Sequence, residues 1–339
     1  MSADSLPRQF GHRELYSDVS VIIPILNGEA WLHQQLEALA CDTHQPFQTV
    51  VADNGSIDNS LAIANSFSSR MRLLTVDASK QPGQSFARNV GAQASSGSAL
   101  LFLDQDDVIA PGYVTAMAAG LRHAEIVVAR MDGEALNPGW RRHARELPQT
   151  YGLPVDPVPW GYGGTLGIRR NAFQQLGGFT EELGVPAGED VDLCWRAHAL
   201  KLTVAFAPDA VVHYRFPSTL SAFLRQGHSY GSAGIVIAAR NGVPAPRLAA
   251  SVRAVFGPLR LAVLGPSKGD RARGIFLLGR RIGTLQASLK QNRKAFSIRK
   301  QRLNLPDLDY GRMFDADRSA TSASAPAPSS PGSSGTIDL

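Results

Sequence analysis

Two cysteines, Cys41 and Cys194, are all that 339 residues contain, which excludes a disulfide framework and leaves no spacing for a structural zinc site. A reducing, cytosolic setting follows as the expectation. No run of about 18 apolar residues occurs, so no transmembrane helix is expected. The first seventeen residues mix charge and polarity without an apolar segment, unlike a secretory signal. Repeats at periods of 20 to 50 residues are lacking, which argues against a solenoid. After the first apolar run the chain reads Pro24-Ile25-Leu26-Asn27-Gly28-Glu29, neither Gly-x-Gly-x-x-Gly nor a phosphate loop rich in Gly and Lys. This argues against a dinucleotide-dependent dehydrogenase and against a sugar nucleotidyltransferase.

What the chain does have is apolar residues, 44% of the total, enough for a large core. Short β-favouring runs alternate with helical periodicity. Strands are expected at Val19–Pro24, Thr49–Ala52, Arg72–Val76, Ala99–Leu103 and Ile126–Arg130. Helices are expected over Ala30–Ala40, through Leu61 and Ala64, over Gln84–Ala94 and near Tyr113–Leu121. The βαβα order predicts a mostly parallel sheet flanked by helices. Gly- and Pro-rich loops fill Asn137 to Gly164. A helix from about Asn171, another carrying Leu193, Ala197 and Leu200, and an apolar run leading to Val211-Val212-His213 follow.

The expected organisation is a flexible leader (1–17), a catalytic domain (18–230, divided near 110), a helical appendage (231–314) and a disordered tail rich in Ser, Ala and Pro (315–339). Charge is uneven along it. The net charge is +5, yet Arg247 to Arg302 holds fourteen Lys/Arg and one acid, Asp270. That basic stretch is either an in-plane contact with an anionic membrane or a set of solvated helical faces packed on the main domain. It has few interleaved aromatics and no recognised motif for nucleic acid, which is an unlikely partner on that ground.

Two acid clusters follow apolar runs: Asp53-Asn54-Gly55-Ser56-Ile57-Asp58 and Asp104-Gln105-Asp106-Asp107. Acids there emerge at the carboxyl edge of the sheet, where open α/β sheets bind ligands. The pair Asp104 and Asp106 offers two hard oxygens from one turn, suited to Mg²⁺ or Mn²⁺, although three acids in a turn also serve as a solvated cap. Asp53 can accept hydrogen bonds from a base or ribose, and Arg88 on the following helix can meet a diphosphate.

In their order and spacing, these segments resemble glycosyltransferase family 2, together with Val19-Ser20-Val21-Ile22-Ile23-Pro24 and Asn27, Ala87-Arg88-Asn89-Val90-Gly91, Gly177-Gly178-Phe179 and Gly188-Glu189-Asp190-Val191-Asp192. The resemblance covers about residues 18 to 230. It implies a GT-A fold, with a Rossmann-like sheet, and inverting transfer from a nucleotide-diphosphate sugar to a hydroxyl on a glycan or lipid-linked acceptor. It assigns Asp190 as general base, and Pro24, Asn27, Asp53, Asn54, Ser56, Arg88 and Asp104 to the donor. Trp160, Gly164 and Glu189 fall on the acceptor side. The implied metal ligands are Asp104, Asp106 and His213, holding Mn²⁺ or Mg²⁺. The family often has two acids where this chain has Asp53-Asn54, which leaves the nucleotide open. Three plainer readings stand beside these: Glu189, Asp190 and Asp192 as a helix cap, His213 as a satisfied surface group, and Trp160 as a loop anchor. A non-catalytic binding relative is the remaining alternative. Polysaccharide or cell-envelope glycan synthesis at the inner membrane face is the implied setting.

Overall fold

The computed structural model describes residues 18–294 except 43–46, 138, 156–157, 245 and 247; the expected leader, the tail and the appendage beyond 294 lie outside the described residues. In chain order the elements are β1 (Val19–Ile25), α1 (Leu32–Ala40), β2 (Gln48–Asp53), α2 (Ser60–Ser66), β3 (Arg72–Asp77), α3 (Gln84–Ala94), β4 (Ala99–Phe102), β5 (Val108–Ile109) and α4 (Tyr113–Gly120). Then come β6 (Ile126–Asp132), β7 (Leu166–Arg169), α5 (Arg170–Leu176), α6 (Glu189–Ala199), β8 (Val204–His213), α7 (Leu220–Arg240), α8 (Leu248–Arg253), α9 (Phe256–Leu264) and α10 (Lys268–Lys294).

The eight strands form one sheet in the order β3-β2-β1-β4-β7-β6-β8-β5. The first four are parallel, β7 runs antiparallel to both β4 and β6, and β6 and β8 are parallel. β1 is buried along its whole length because helices cover both faces, which is why it reads as an unbroken apolar run rather than an alternation. One core cluster joins β1, β2 and β4 to α1 and α4. A second, on the opposite face, joins Ile22, Phe102 and Ile168 to α5 and α6 through Phe173, Phe179 and Leu193.

β7 was not among the expected strands. It is four residues long and follows two glycines, too short for a period to register, and its antiparallel course makes the sheet mixed.

The expected boundary at 230 falls inside α7, a single helix of 21 residues capped by Thr219 Oγ1. α10 crosses it with backbones touching. A Cβ at Gly227 or Gly231 would overlap the carbonyl oxygen of Phe276 or Arg280, and one at Gly279 or Gly283 that of Leu224 or His228. Glycine at i and i+4 on each helix permits this approach. The chain from 248 to 264 forms two helices parted at 254–255, and Pro258 lies in the first turn of α9, where its missing N–H costs no helical bond.

Candidate active site

Parallel register sets the carboxyl edge of the sheet. Ile25 pairs with Asp53, Asp53 with Asp77, and Ile22 with Phe102, so Asp53 ends its strand and Asp104 lies just beyond β4. Pro24 is buried in β1 opposite Ala52. Asn27 adopts the left-handed region at φ 50°. Its N–H donates to Ser56 Oγ at 3.0 Å and its Oδ1 accepts from the Ile57 N–H at 2.9 Å. Asp53 Oδ1 accepts from the Ser56 N–H at 3.0 Å, while Asp58 takes the N–H groups of Glu29 and Ser60. Asn54 ties down the loop after β3: its amide donates to the carbonyls of Ala78 and Gln81 and accepts from the Gly83 N–H. The two turns after β1 and β2 are thus laced together by their own short polar side chains.

Arg88 occupies the centre. Its side chain is 1% exposed and bridges two carboxylates, Asp104 Oδ1 through Nη2 and Glu189 Oε1 through Nη1, each at 2.7 Å. The guanidinium lies 5.2 Å from the Phe179 ring centroid, and Nε has no hydrogen-bond partner among the described residues. Both terminal nitrogens that the resemblance offers to a diphosphate therefore hold carboxylates. Gln84 Nε2 also donates to Asp104 Oδ1, at 2.8 Å. Gly163 and Gly164 admit this cluster, since a Cβ on the first would lie 2.5 Å from Arg88 Nη1 and on the second 2.6 Å from Asp104 Oδ2.

Asp190 sits in the first turn of α6 beside Glu189 and is more than nine-tenths buried. The Gly163 N–H donates to its Oδ2 at 3.0 Å, and the Val191 N–H to its Oδ1 at 2.7 Å. Burial, then the negative charge of Glu189, pushes its pKa up to about 7, against the pull of Arg88 and the two N–H groups. A carboxylate poised there can accept a proton near neutral pH.

In the acid turn, burial and then the Asp104 charge raise Asp106 to about 6, and burial with both neighbouring acids carries Asp107 well above the carboxylate range. Arg215 holds the turn: its N–H donates to Asp107 Oδ1 at 2.9 Å and its Nε to the Asp106 carbonyl at 2.8 Å. His213 ends β8 opposite Val108, with Nδ1 2.6 Å from Asp132 Oδ2. Among the described residues, no three His, Cys, Asp or Glu side chains converge closely enough to hold a metal ion. The donor set nevertheless fits a hard divalent cation, because Asp104 and Asp106 repel each other and a cation between them removes that repulsion.

A cavity of about 530 Å³ brings Arg88, Asp104, Trp160, Gly164, Glu189 and Asp190 to one space. Pro24, Asn27, Asp53, Asn54, Ser56, Asp106 and His213 do not line it. Sequence reasoning passed over Gln84, Gly163, Asp132, Arg145 and the cavity faces of α7 and α10. The Gly-x-x-x-Gly spacings at 227–231 and 279–283 were the available signal for the helix pair; Arg145 stands in no motif.

The fold is that of GT-A glycosyltransferases. A mannosyltransferase from Pyrobaculum calidifontis, PcManGT, solved with GDP-Man and Mn²⁺, superposes with a TM-score of 0.58 over 81% of this chain and 87% of its own, at 16% identity. Staphylococcus aureus TarS 1–349 gives 0.51 over 83% and 93%, at 18% identity, and has been solved with UDP and with UDP-GlcNAc.

The family models "Glycosyl transferase family 2" and "Glycosyl transferase family group 2" match residues 20–177 and 99–268. The chain belongs to glycosyltransferase family 2. Validoxylamine A glucosyltransferase of Streptomyces hygroscopicus subsp. limoneus is 30% identical over 226 residues, which cover 55% of this chain and 49% of that protein. Pre-mycofactocin glycosyltransferase of Mycobacterium tuberculosis is 25% identical over 241 residues, covering 67% and 48%. The chain spans about half the length of these curated relatives.

Proposed function

We propose that this chain is a metal-dependent inverting glycosyltransferase that moves a sugar from a nucleotide diphosphate to an acceptor hydroxyl. The observation that carries the reading is Asp190, a buried carboxylate raised to about 7, held by the Gly163 N–H and joined through Glu189 and Arg88 to Asp104. The donor lies along the turns around Asn27, Asp53 and Ser56, with Pro24 beneath them and Asn54 fixing the loop that closes that side. The GDP-Man and UDP-sugar complexes of the structural relatives support a nucleotide-sugar donor.

Asp104 and Asp106 hold Mn²⁺ or Mg²⁺ in this reading, as the Mn²⁺ complex of one relative supports. His213 joins them, with Asp132 fixing its ring through Nδ1 so that Nε2 is left as the ligating nitrogen. A cation held there would supply charge neutralisation for a nucleotide-diphosphate leaving group. Asp190 takes the acceptor's hydroxyl proton, and that oxygen forms the new bond to the anomeric carbon as the bond to the diphosphate breaks on the opposite face. One displacement inverts the configuration and needs one base. Trp160 beside Gly164 offers a ring face to the acceptor sugar.

A glycan or lipid-linked acceptor of the cell envelope, met at the inner membrane face, suits the outer surface of α8 and α9. Val252 on α8 is exposed there, as are Phe256, Leu259 and Val263 at helical spacing on α9, close in sequence to Arg253 and Arg260. Among the described residues no helix is long and apolar enough to cross a membrane.

The test is calorimetric titration of UDP, GDP and dTDP with Mn²⁺ and again with EDTA. Metal-dependent binding of one nucleotide is expected; no binding of any, by a folded protein, refutes the donor reading.

A further inference from the structure

The cavity has a second, cationic end that the transfer chemistry leaves unused. Arg145 follows the short helical turn Gly139–His143 and is 8% exposed. Its Nη2 donates to the Tyr162 hydroxyl at 2.6 Å and its Nη1 to Gln226 Oε1 at 2.9 Å. Its guanidinium lies 4.8 Å from the ring centroid of Phe276, 5.2 Å from Tyr230, 5.6 Å from Tyr162 and 5.8 Å from Tyr214. Every one of these partners is neutral. Among the described residues no carboxylate stands within ion-pair distance of Arg145, whereas Arg88, also buried and lining the same cavity, has two.

A buried guanidinium without a counter-ion carries a large desolvation cost, and ring faces and phenols offset only part of it. Close to it, α10 presents Arg273, Phe276, Leu277 and Arg280 to the cavity, at i, i+3, i+4 and i+7 of one face. The acid facing Arg273 is Glu146, 3.6 Å away with a side chain 64% exposed, a loose partner that an incoming anion can displace. Ala233 and Ile237 of α7 add an apolar wall.

We propose that this end of the cavity is an anion subsite, in which Arg145, flanked by Arg273 and Arg280, receives a phosphate group carried by the acceptor while the acceptor's apolar portion lies against Ile237 and Leu277. The proposal rests on the glycosyltransferase reading only in giving the bound molecule the role of acceptor; the site itself is independent of it. A phosphate there can belong to a lipid or to a phosphate-bearing soluble glycan, and the donor diphosphate is the competing occupant.

The experiment titrates octyl phosphate, glycerol 1-phosphate and neutral octyl glucoside into the full chain. In parallel it titrates whichever of UDP, GDP or dTDP binds with Mn²⁺. Octyl phosphate is expected to bind more tightly than octyl glucoside. Arg145→Met should weaken octyl phosphate about tenfold or more, as loss of a charge-assisted contact implies, and leave nucleotide affinity within about twofold. Arg273→Gln, at a partly exposed position, should weaken octyl phosphate about threefold and serves if the buried variant fails to fold. Tighter binding of octyl phosphate than of glycerol 1-phosphate supports the apolar contact and a lipid source; equal binding overturns the apolar contact and leaves a soluble phosphate as the occupant. No binding of either phosphate to the wild type, or no loss in either variant, overturns the subsite. Equal loss of nucleotide and octyl phosphate in Arg145→Met overturns it in favour of the donor diphosphate. Failure of all three nucleotides refutes the donor reading and leaves the phosphate titrations to decide the subsite.

Discussion

On the side proposed for the donor, Asn27, Asp53, Asn54, Ser56 and Asp58 come from two neighbouring turns and bind nearby backbone, Asn54 reaching the loop after β3. On the side proposed for the acceptor, Arg145, Trp160, Tyr214, Tyr230 and Phe276 come from five separate segments and meet through rings and a guanidinium. The first is a local construction that keeps its shape wherever the sheet edge forms. The second exists only once α7 and α10 have docked. Damage to the first should therefore be felt by the nucleotide alone, and damage to the second by the acceptor alone, except at the residue spanning both.

That residue is Arg88. Arg88→Met leaves Asp104, Glu189 and Asp190 without their shared cation, and loss of one partner from a buried ionic cluster costs about 3–5 kcal/mol. Denaturant unfolding should record that loss, with both nucleotide and acceptor affinity impaired; a variant of wild-type stability would show that the two sides are not joined there.

Asp190→Asn comes next. Transfer should fall by roughly 10²-fold or more, with nucleotide affinity preserved. In the wild type kcat/KM should rise as pH climbs through about 7, because the base must be ionised, and the variant should lose that limb. The same raised pKa means that the folded protein binds this proton more tightly than the unfolded chain. Stability from the protonated carboxyl is full at low pH and is lost as pH rises towards about 7. Thermal melts should therefore favour Asp190→Asn above pH 7, with the gap closing towards pH 4.

Gly231→Val, a smaller perturbation, forces α10 away from α7, an overpacking cost of about 1–3 kcal/mol. Acceptor KM should rise severalfold while nucleotide affinity holds. Smallest is Asn54→Ala, which frees the loop from Ala78 to Gly83 and should weaken the nucleotide a fewfold, at about 1 kcal/mol of stability, with acceptor KM unchanged. A shift in acceptor KM here would break the division between the sides.

The same division explains what was readable in advance. Strands β1, β2, β3, β4 and β6 announced themselves as apolar runs, and the acids at their ends followed from register. Asp53 and Asp104 could be picked out because each follows an apolar run, whereas Ser56 and Asp190 came only from the resemblance to the family. What the sequence did not reveal depends on burial by distant segments. Arg88 reads as a free cation until Glu189, 101 positions away, is placed beside it. Arg145 gives no local signal, since its cage is closed by residues as remote as Phe276. β7 was too short to show a period, and the boundary placed at 230 cut a helix that glycine spacing marks as one half of a pair.

The glycine crossing of α7 and α10 has a consequence for engineering. Because main chain meets main chain at Gly227, Gly231, Gly279 and Gly283, the separation of the two helices is set without reference to the side chains that face the cavity. The pair acts as a fixed gauge. Residues such as Ile237 and Leu277, which line the cavity, can be trimmed or enlarged against an unmoving frame, so its shape can be retuned one side chain at a time without resetting the position of Asp190.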